Sequence, residues 1–356
     1  MRILFYSSFI HKSHNGAAIF AQLFLQWAEE SKHHVDVISI EEKETFIKVE
    51  EPISKTPIIF QKQLSKNIYT KICELDFKSY DLIYFNNVIE ASHTVKKLEH
   101  KNIKAFLHDS QYMNDVYPDQ NIKRKYFRRI LKNIERKTIK KLKEIHTNSK
   151  QMKNQIHSVY NIELNKINYL YFSSFDLEKK ESKKNKEFTI LFIKTNYLSG
   201  GLITLLNACK KLNFKNKIIA IGPDESVHDS LKEKYSSLNL ELLSYVPRNK
   251  MAIYFSQSDV FITPAFTEPM GIGNLEAMEM EIPVIGNNVE GVKEIAEKSD
   301  AILLFEKNNA EDLAIKITEL KQNPKLQNQL IENGKRFVKE ELNKKRIFQY
   351  LDEIII

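Results

Sequence analysis

Short apolar runs along the chain alternate with longer stretches in which apolar residues return at helical spacing, and this rhythm predicts strands joined by crossover helices. Arg2 to Ser8 reads as the first strand, His11 to Gly16 as a polar loop, and Ala17 to Glu30 as a helix whose Ile19, Leu23, Phe24 and Trp27 share a face. A strand at Val35 to Ile40 completes a βαβ opening. Glu41 to Asp76 is charged and mixed and reads as an elaborated connection. Strands follow at Asp81 to Asn86, Ile103 to Leu107 and Glu144 to Thr147, with helices at Glu90 to Glu99, Asn121 to Glu144 and Lys150 to Tyr160.

The run Asp176 to Lys186 (DLEKKESKKNK) has no apolar period and reads as an inter-domain linker. A second alternation then begins. Its strands are Phe188 to Ile193, Lys217 to Ile221, Leu240 to Tyr245, Asp259 to Pro264 and Ala301 to Phe305. Its helices are Leu202 to Leu212, Val227 to Tyr235, Asn249 to Ser256, one beginning near Asn274, Asp312 to Lys321 and Pro324 to Leu342. The economical architecture is α/β, two Rossmann-like doubly wound domains with a cleft between them, over residues 1–175 and 176–342.

Composition agrees with two domains, because 356 residues at 42% hydrophobic content exceed what one core usually organises. The formal charge of +8 points toward phosphorylated ligands, acidic surfaces or nucleic acid without choosing among them. Much of it lies in the helix at 121–144, where Lys and Arg alternate with Tyr126, Phe127, Ile130, Leu131, Ile134, Ile139 and Leu142 at helical spacing. That pattern predicts a buried apolar face and a basic one. The basic face is either solvated or a contact for an anionic membrane surface. Nucleic acid is set aside, since no nucleic-acid motif accompanies the charge. Cys73 and Cys209 stand far apart without disulfide or zinc spacing, which fits a reducing cytoplasm. No run is long enough to cross a membrane and the N-terminus lacks a secretory signal, so the expected location is cytoplasmic, with the basic helix as a peripheral contact on the inner face of the membrane.

The candidate chemistry gathers in Pro264 to Glu294, PAFTEPMGIGNLEAMEMEIPVIGNNVEGVKE. A strand runs into a loop carrying Glu268, Gly271 and Gly273, then into a helix with Glu276 in its first turn. Unpaired N–H groups at such a helix start suit a phosphate, and glycines let the backbone approach it. The two carboxylates fit the same ligand if one meets a ribose diol and the other a sugar hydroxyl. The plain alternative is that Glu276 complements the helix dipole and Glu268 is a solvated loop residue. Gly16, in the loop after the first strand, either touches a phosphate or only makes a turn. His108, at a strand's carboxyl end, either hydrogen-bonds a sugar and assists proton movement or is a structural histidine.

The spacing Glu268 to Glu276 in EPMGIGNLE, followed by AMEMEIPVIGNNVEGVKE, resembles the E-x7-E signature of retaining glycosyltransferases of family 4, which have the GT-B fold. The resemblance implies that Glu276 holds the ribose hydroxyls of a nucleotide-sugar, that Glu268 lies near the transferred sugar, and that backbone N–H groups at Met270, Gly271 and Ile272 reach the diphosphate or sugar. Gly16 would close over the phosphates, His108 would contact the donor sugar, and the last helix, about 343–356, would cross back to the first domain. It implies no cofactor beyond the nucleotide-diphosphate sugar as donor, no metal, and a glycan, lipid-linked or protein acceptor. No D-x-D triplet occurs in the chain. The family's arginine and lysine after the first strand of the second domain are not at their expected places, where the chain reads Lys194-Thr195-Asn196-Tyr197-Leu198-Ser199-Gly200-Gly201. Lys194 stands one position early and is a candidate substitute, with Thr195 beside it. The alternatives are a non-catalytic GT-B-like subunit that binds a glycan or glycosylated partner, and a nucleotide-sugar epimerase of the same fold.

Overall fold

The computed structural model describes residues 1–11, 15–111, 122–173, 177 and 185–356. Most of the expected linker at 176–186 and the middle of the expected loop at 11–16 lie outside the described residues. The chain divides into two compact units, residues 1–172 with 347–356, and residues 173–346.

The first unit carries β1 (Arg2–Tyr6), α1 (Gly16–Glu30), β2 (His34–Ser39), β3 (Phe46–Lys48), α2 (Pro57–Cys73), β4 (Leu82–Phe85), α3 (Ser92–Lys97), β5 (Ile103–Leu107), α4 (Ile122–Ile139), β6 (Glu144–Thr147), α5 (Lys150–Tyr160) and β7 (Ile167–Tyr169). Its seven strands pair in the order β3-β2-β1-β4-β5-β6-β7, all parallel. Such a sheet is buried on both faces, which is why β1, β4 and β5 are nearly unbroken apolar runs. Besides two short strands the sequence reading did not give, β3 and β7, its helices differ in two places. The stretch read as an elaborated connection holds a 17-residue helix, α2, started by Pro57 and buried through Ile58, Leu64, Ile68 and Ile72. The helix expected over 90–99 is shorter, since α3 spans only Ser92–Lys97.

The second unit carries β8 (Phe188–Ile193), α6 (Leu202–Cys209), β9 (Asn216–Ile221), α7 (His228–Lys234), β10 (Asn239–Leu243), α8 (Arg248–Ser256), β11 (Val260–Thr263), α9 (Ile272–Glu279), β12 (Val284–Asn287), α10 (Glu290–Ser299), β13 (Ile302–Phe305), α11 (Ala310–Gln322) and α12 (Pro324–Glu341), before α13 (Lys344–Ile355). Its strands pair in the order β10-β9-β8-β11-β12-β13, again all parallel. In both units the strand order reverses once, between β1 and β4 and between β8 and β11.

Residues 347–356, most of α13 and the residue after it, belong to the first unit, and polar contacts fix them there. Trp27 Nε1 donates to Asp352 Oδ1 at 2.8 Å. Lys104, buried on β5, donates through Nζ to the carbonyl of Ile354 at 2.8 Å and pairs with Glu144 Oε2 at 2.9 Å. A helix leaves its last carbonyls without intrahelical partners, and a cation there answers both the hydrogen bond and the dipole. The His146 ring, 3.7 Å away through Nε2, together with Lys104 holds the Glu144 carboxyl down at about 2. Lys104→Met leaves that carboxylate and the helix end unanswered, so the first unit is expected to lose about 3 kcal/mol, as for breaking a buried pair. Denaturant titration followed by fluorescence of Trp27, the one tryptophan of the chain, reads this unit directly. A midpoint unchanged from wild type would remove Lys104 from its anchoring role.

Candidate functional site

Where the strand order of a parallel sheet reverses, the loops leaving the two neighbouring strands diverge and open a crevice at the carboxyl edge. In the second unit those loops follow β8, from Lys194 to Gly201, and β11, from Pro264 to Gly271. They are seated on one another. Phe266 N donates to Ser199 O at 2.9 Å, and Gly201 has φ +80° with no room for a side chain, since a Cβ would stand 1.9 Å from Pro264 O. The contact brings Lys194 Nζ to 2.5 Å from Glu268 Oε2. Glu268 is buried while Lys194 stays partly exposed, so the loop carboxylate is paired rather than merely solvated. A cavity of about 30 Å³ lies here, bordered by Lys194, Gly200, Thr263, Glu268, Gly271 and Gly273.

The helix after this loop begins at Ile272, earlier than expected, because Gly271 takes the left-handed conformation that caps it. Glu276 consequently lies in the second turn, not the first. Its carboxylate cannot serve the helix dipole as the plain alternative supposed. It is buried and meets Arg248 Nη1 at 2.7 Å through Oε1. Met270 is buried with the core. The first amides of α9, at Ile272 and Gly273, have no carbonyl one turn back within the helix. Asn274, fully buried one residue on, accepts from the Thr263 hydroxyl, and its Nδ2 has no partner among the described residues. Gly291 N donates to Glu268 O at 3.0 Å and so braces the loop from the start of α10. Thr195 is exposed beside Lys194.

Sequence reading missed Arg248. The pair joins the first residue of α8 to α9 across a span that no local pattern reports. One signal was present. Arg248 follows Pro247 as the first residue of a helix, where a cation opposes the dipole.

Gly16 and His108 lie in the first unit. Gly16 is the first residue of α1, not part of a loop, and that helix is capped by Asn15, whose side chain accepts from Ala18 N at 2.9 Å. His108 follows β5, near the reversal between β1 and β4. Asn86 donates through Nδ2 to Ser7 Oγ at 3.0 Å and to Ala17 O at 2.7 Å, which leaves its Oδ1 to accept from His108 Nε2 at 2.7 Å. The imidazole is therefore neutral with Nδ1 bare, and Nδ1 has no partner among the described residues. Burial against Phe106, whose ring stacks on it at 4.2 Å, pulls its pKa down to about 3. Nearby, Ser8 Oγ donates to Glu90 Oε2 at 2.9 Å, and burial pushes that carboxyl up to about 7.

The basic helix departs from its expected packing. On α4 Tyr126 is 62% exposed and Phe127, Ile130, Leu131 and Ile134 are only partly buried, with Ile139 fully covered. Glu135 is buried on the same helix, takes hydrogen bonds from Ser110, Gln111 and Tyr160, and is pushed by burial up to about 7. Among the described residues no helix is long and apolar enough to cross a membrane. No group of three or more His, Cys, Asp or Glu among them is placed to hold a metal ion.

Residues 173–337, most of the second unit, match the family described as glycosyl transferases group 1. The chain is 27% identical over 221 residues, 60% of each protein, to the O-antigen chain mannosyltransferase RfbU of Salmonella typhimurium. It spans about half the length of the curated relatives it matches. Among solved structures it resembles the sucrose-phosphate synthase of Thermosynechococcus elongatus, with a TM-score of 0.84 at 16% identity over 99% of this chain and 98% of that one. It also resembles HepE of Anabaena, solved in complex with UDP-glucose, with a TM-score of 0.76 at 16% identity over 100% of this chain and 99% of that one. The fold is therefore GT-B, two Rossmann-like α/β units.

The His108 pKa carries a stability consequence. Its folded value, about 3, lies below the ordinary 6.5, so the stability it contributes is fully present above pH 6.5 and is lost as pH falls toward 3. Comparing wild type with His108→Gln cancels the other titrating groups. The stability of the variant relative to wild type is expected to rise by about 1 kcal/mol for each pH unit between 6 and 5. A difference flat with pH in denaturant titrations would show that His108 is not held neutral.

Proposed function

We propose that the protein is a glycosyltransferase that moves a sugar from a nucleotide-diphosphate donor to a hydroxyl of a glycan, lipid-linked or protein acceptor, with retention of anomeric configuration and without a metal. One observation carries the reading: two buried carboxylates, Glu268 and Glu276, flank a glycine-started helix N-terminus at the carboxyl edge of a parallel sheet, where its strand order reverses. The kinship supports it, since the second unit matches glycosyl transferases group 1 and a related fold holds UDP-glucose.

In this reading the ribose diol of the donor donates to Glu276 and a hydroxyl of the transferred sugar donates to Glu268. The backbone amides at Met270, Gly271 and Ile272 meet the diphosphate, with Thr195 beside it. The bond from the anomeric carbon to the phosphate oxygen breaks and the diphosphate leaves with the electron pair. The acceptor oxygen bonds to the same face of that carbon and passes its proton to the departing phosphate. Such a reaction depends on positioning and on charge placed where the leaving group develops it. Lys194 supplies that charge by turning from Glu268 to the diphosphate, in place of the basic pair the family carries.

Donor turnover tests the assignment. With whichever nucleotide-sugar the wild type consumes, Glu276→Ala is expected to lower kcat/KM about 10- to 100-fold, and Glu268→Ala to lower kcat about 100-fold. Unchanged transfer by both variants would sink the site. A wild type that binds nucleotide-sugars yet consumes none would favour the binding-subunit reading instead.

A further inference from the structure

We propose that the outer surface of helices α2, α3 and α4 in the first unit docks on an anionic membrane, its exposed Lys and Arg meeting lipid phosphates while Ile59 and Tyr126 enter the bilayer edge. Side chains alternate across a strand, so the two faces of the first sheet can be told apart. Leu4, Tyr6, Ile83 and Phe85 share one core with Leu64 and Ile68 of α2, Ile139 of α4 and Ile156 of α5, and Val95 of α3 packs against it. Phe5, Tyr84 and Phe106, at the alternate positions, stack instead on Phe20 and Phe24 of α1. The two helical layers are opposite in charge. The sequences of α2, α3, α4 and α5 hold fifteen Lys and Arg and a single acid, Glu135, whose side chain is buried. Helix α1 and residues 347–356, tied by Trp27 and Asp352, hold four acids and no Lys or Arg. Over the whole chain the balance is only 54 to 46, so the α2–α5 layer is cationic well beyond the average.

These charges gather on the outside of the layer. On α2, Ile59, Lys62 and Lys66 fall at i, i+3 and i+7, opposite the buried Leu64, Ile68 and Ile72, and all three are exposed. On α4, Tyr126, Arg129 and Lys137 are exposed on the side away from the buried Glu135 and Ile139. Helix α3 packs against both and exposes Lys96 and Lys97. Burial, and then the like charges of Lys97, Lys96 and Lys66, hold the His93 pKa below its ordinary value, so cations from two helices converge on one spot. None of Lys62, Lys66, Lys96, Arg129 and Lys137 forms an ion pair among the described residues. Cations collected without carboxylates between them repel one another, and an anionic surface relieves that repulsion. The apolar side chains choose the bilayer over nucleic acid. Ile59 is 54% exposed and Tyr126 62%, each on the same stripe as the cations. An aliphatic side chain gains nothing from a phosphate backbone, whereas beside lipid phosphates it reaches the acyl boundary, where tyrosine also settles.

Co-sedimentation of the full chain with phosphatidylcholine vesicles, with and without phosphatidylglycerol, tests the docking. Wild type is expected to bind the anionic vesicles at low salt about 10-fold or more tightly than the neutral ones, and to be released by high salt. Replacing Lys62, Lys66, Arg129 and Lys137 together by Gln should weaken that binding about 100-fold. Removing as many charges from the second unit, by Gln at exposed Lys232, Lys307, Lys325 and Lys339, should change it about 3-fold or less. Ile59→Ser combined with Tyr126→Ser should weaken vesicle binding about 10-fold and leave the binding of a single-stranded RNA unchanged. All these side chains are exposed, and far-UV circular dichroism checks that each variant keeps its fold. No sedimentation with anionic vesicles at low salt would overturn the proposal. So would equal losses in the two charge variants, which would reduce the effect to net charge. Undiminished vesicle binding without Ile59 and Tyr126, or RNA held more tightly than vesicles, would overturn the choice of a bilayer as partner.

Discussion

The second unit is organised around one constraint, that a carboxylate taken out of water must be given a partner. Burying an isolated charge costs several kcal/mol even after the protein relaxes, so Glu268 and Glu276 dictate what surrounds them. Lys194 answers Glu268 from the loop after β8, and Arg248 answers Glu276 from the start of α8. Neither partner is near in sequence. Both become neighbours because the order β10-β9-β8-β11 sets the carboxyl ends of these strands side by side. The glycines serve the same end. Gly201 lets the β8 loop lie against Pro264, and Gly271 turns the chain so that α9 starts close to the carboxylates.

The first unit shows the opposite solution at its own strand reversal. Its buried groups there are neutral. Asn86 bridges Ser7, Ala17 and His108, and the imidazole is held uncharged by burial. Glu90 and Glu135 are pushed toward the neutral form by the same physics. Two units of like topology thus present different faces, one lined by compensated charges and one by neutral donors and acceptors.

Much of this was legible in the chain. The strand runs and helical stripes announced two alternating α/β series because buried parallel strands must be apolar throughout and crossover helices must not be. The nine-residue span from Glu268 to Glu276, with its two glycines, marked the candidate site. What escaped notice was short, masked or distant. β3 and β7 have three residues each, too few to show a period. The stripe of α2 was hidden behind the acidic run that precedes it. The start of α9 was misplaced because the left-handed turn at Gly271 begins the helix ahead of Asn274. Arg248 was out of reach, since its partner is known only once the strand order is.

Amide hydrogen exchange with and without nucleotide-sugars tests the central claim most directly, that the turn into α9 and the loop beneath it hold the donor. With a panel of UDP-glucose, UDP-galactose and GDP-mannose, at least one ligand should slow exchange in peptides covering residues 264–276 and 194–201. Protection confined to the first unit, or none with any member of a panel that the protein nonetheless turns over, would contradict it.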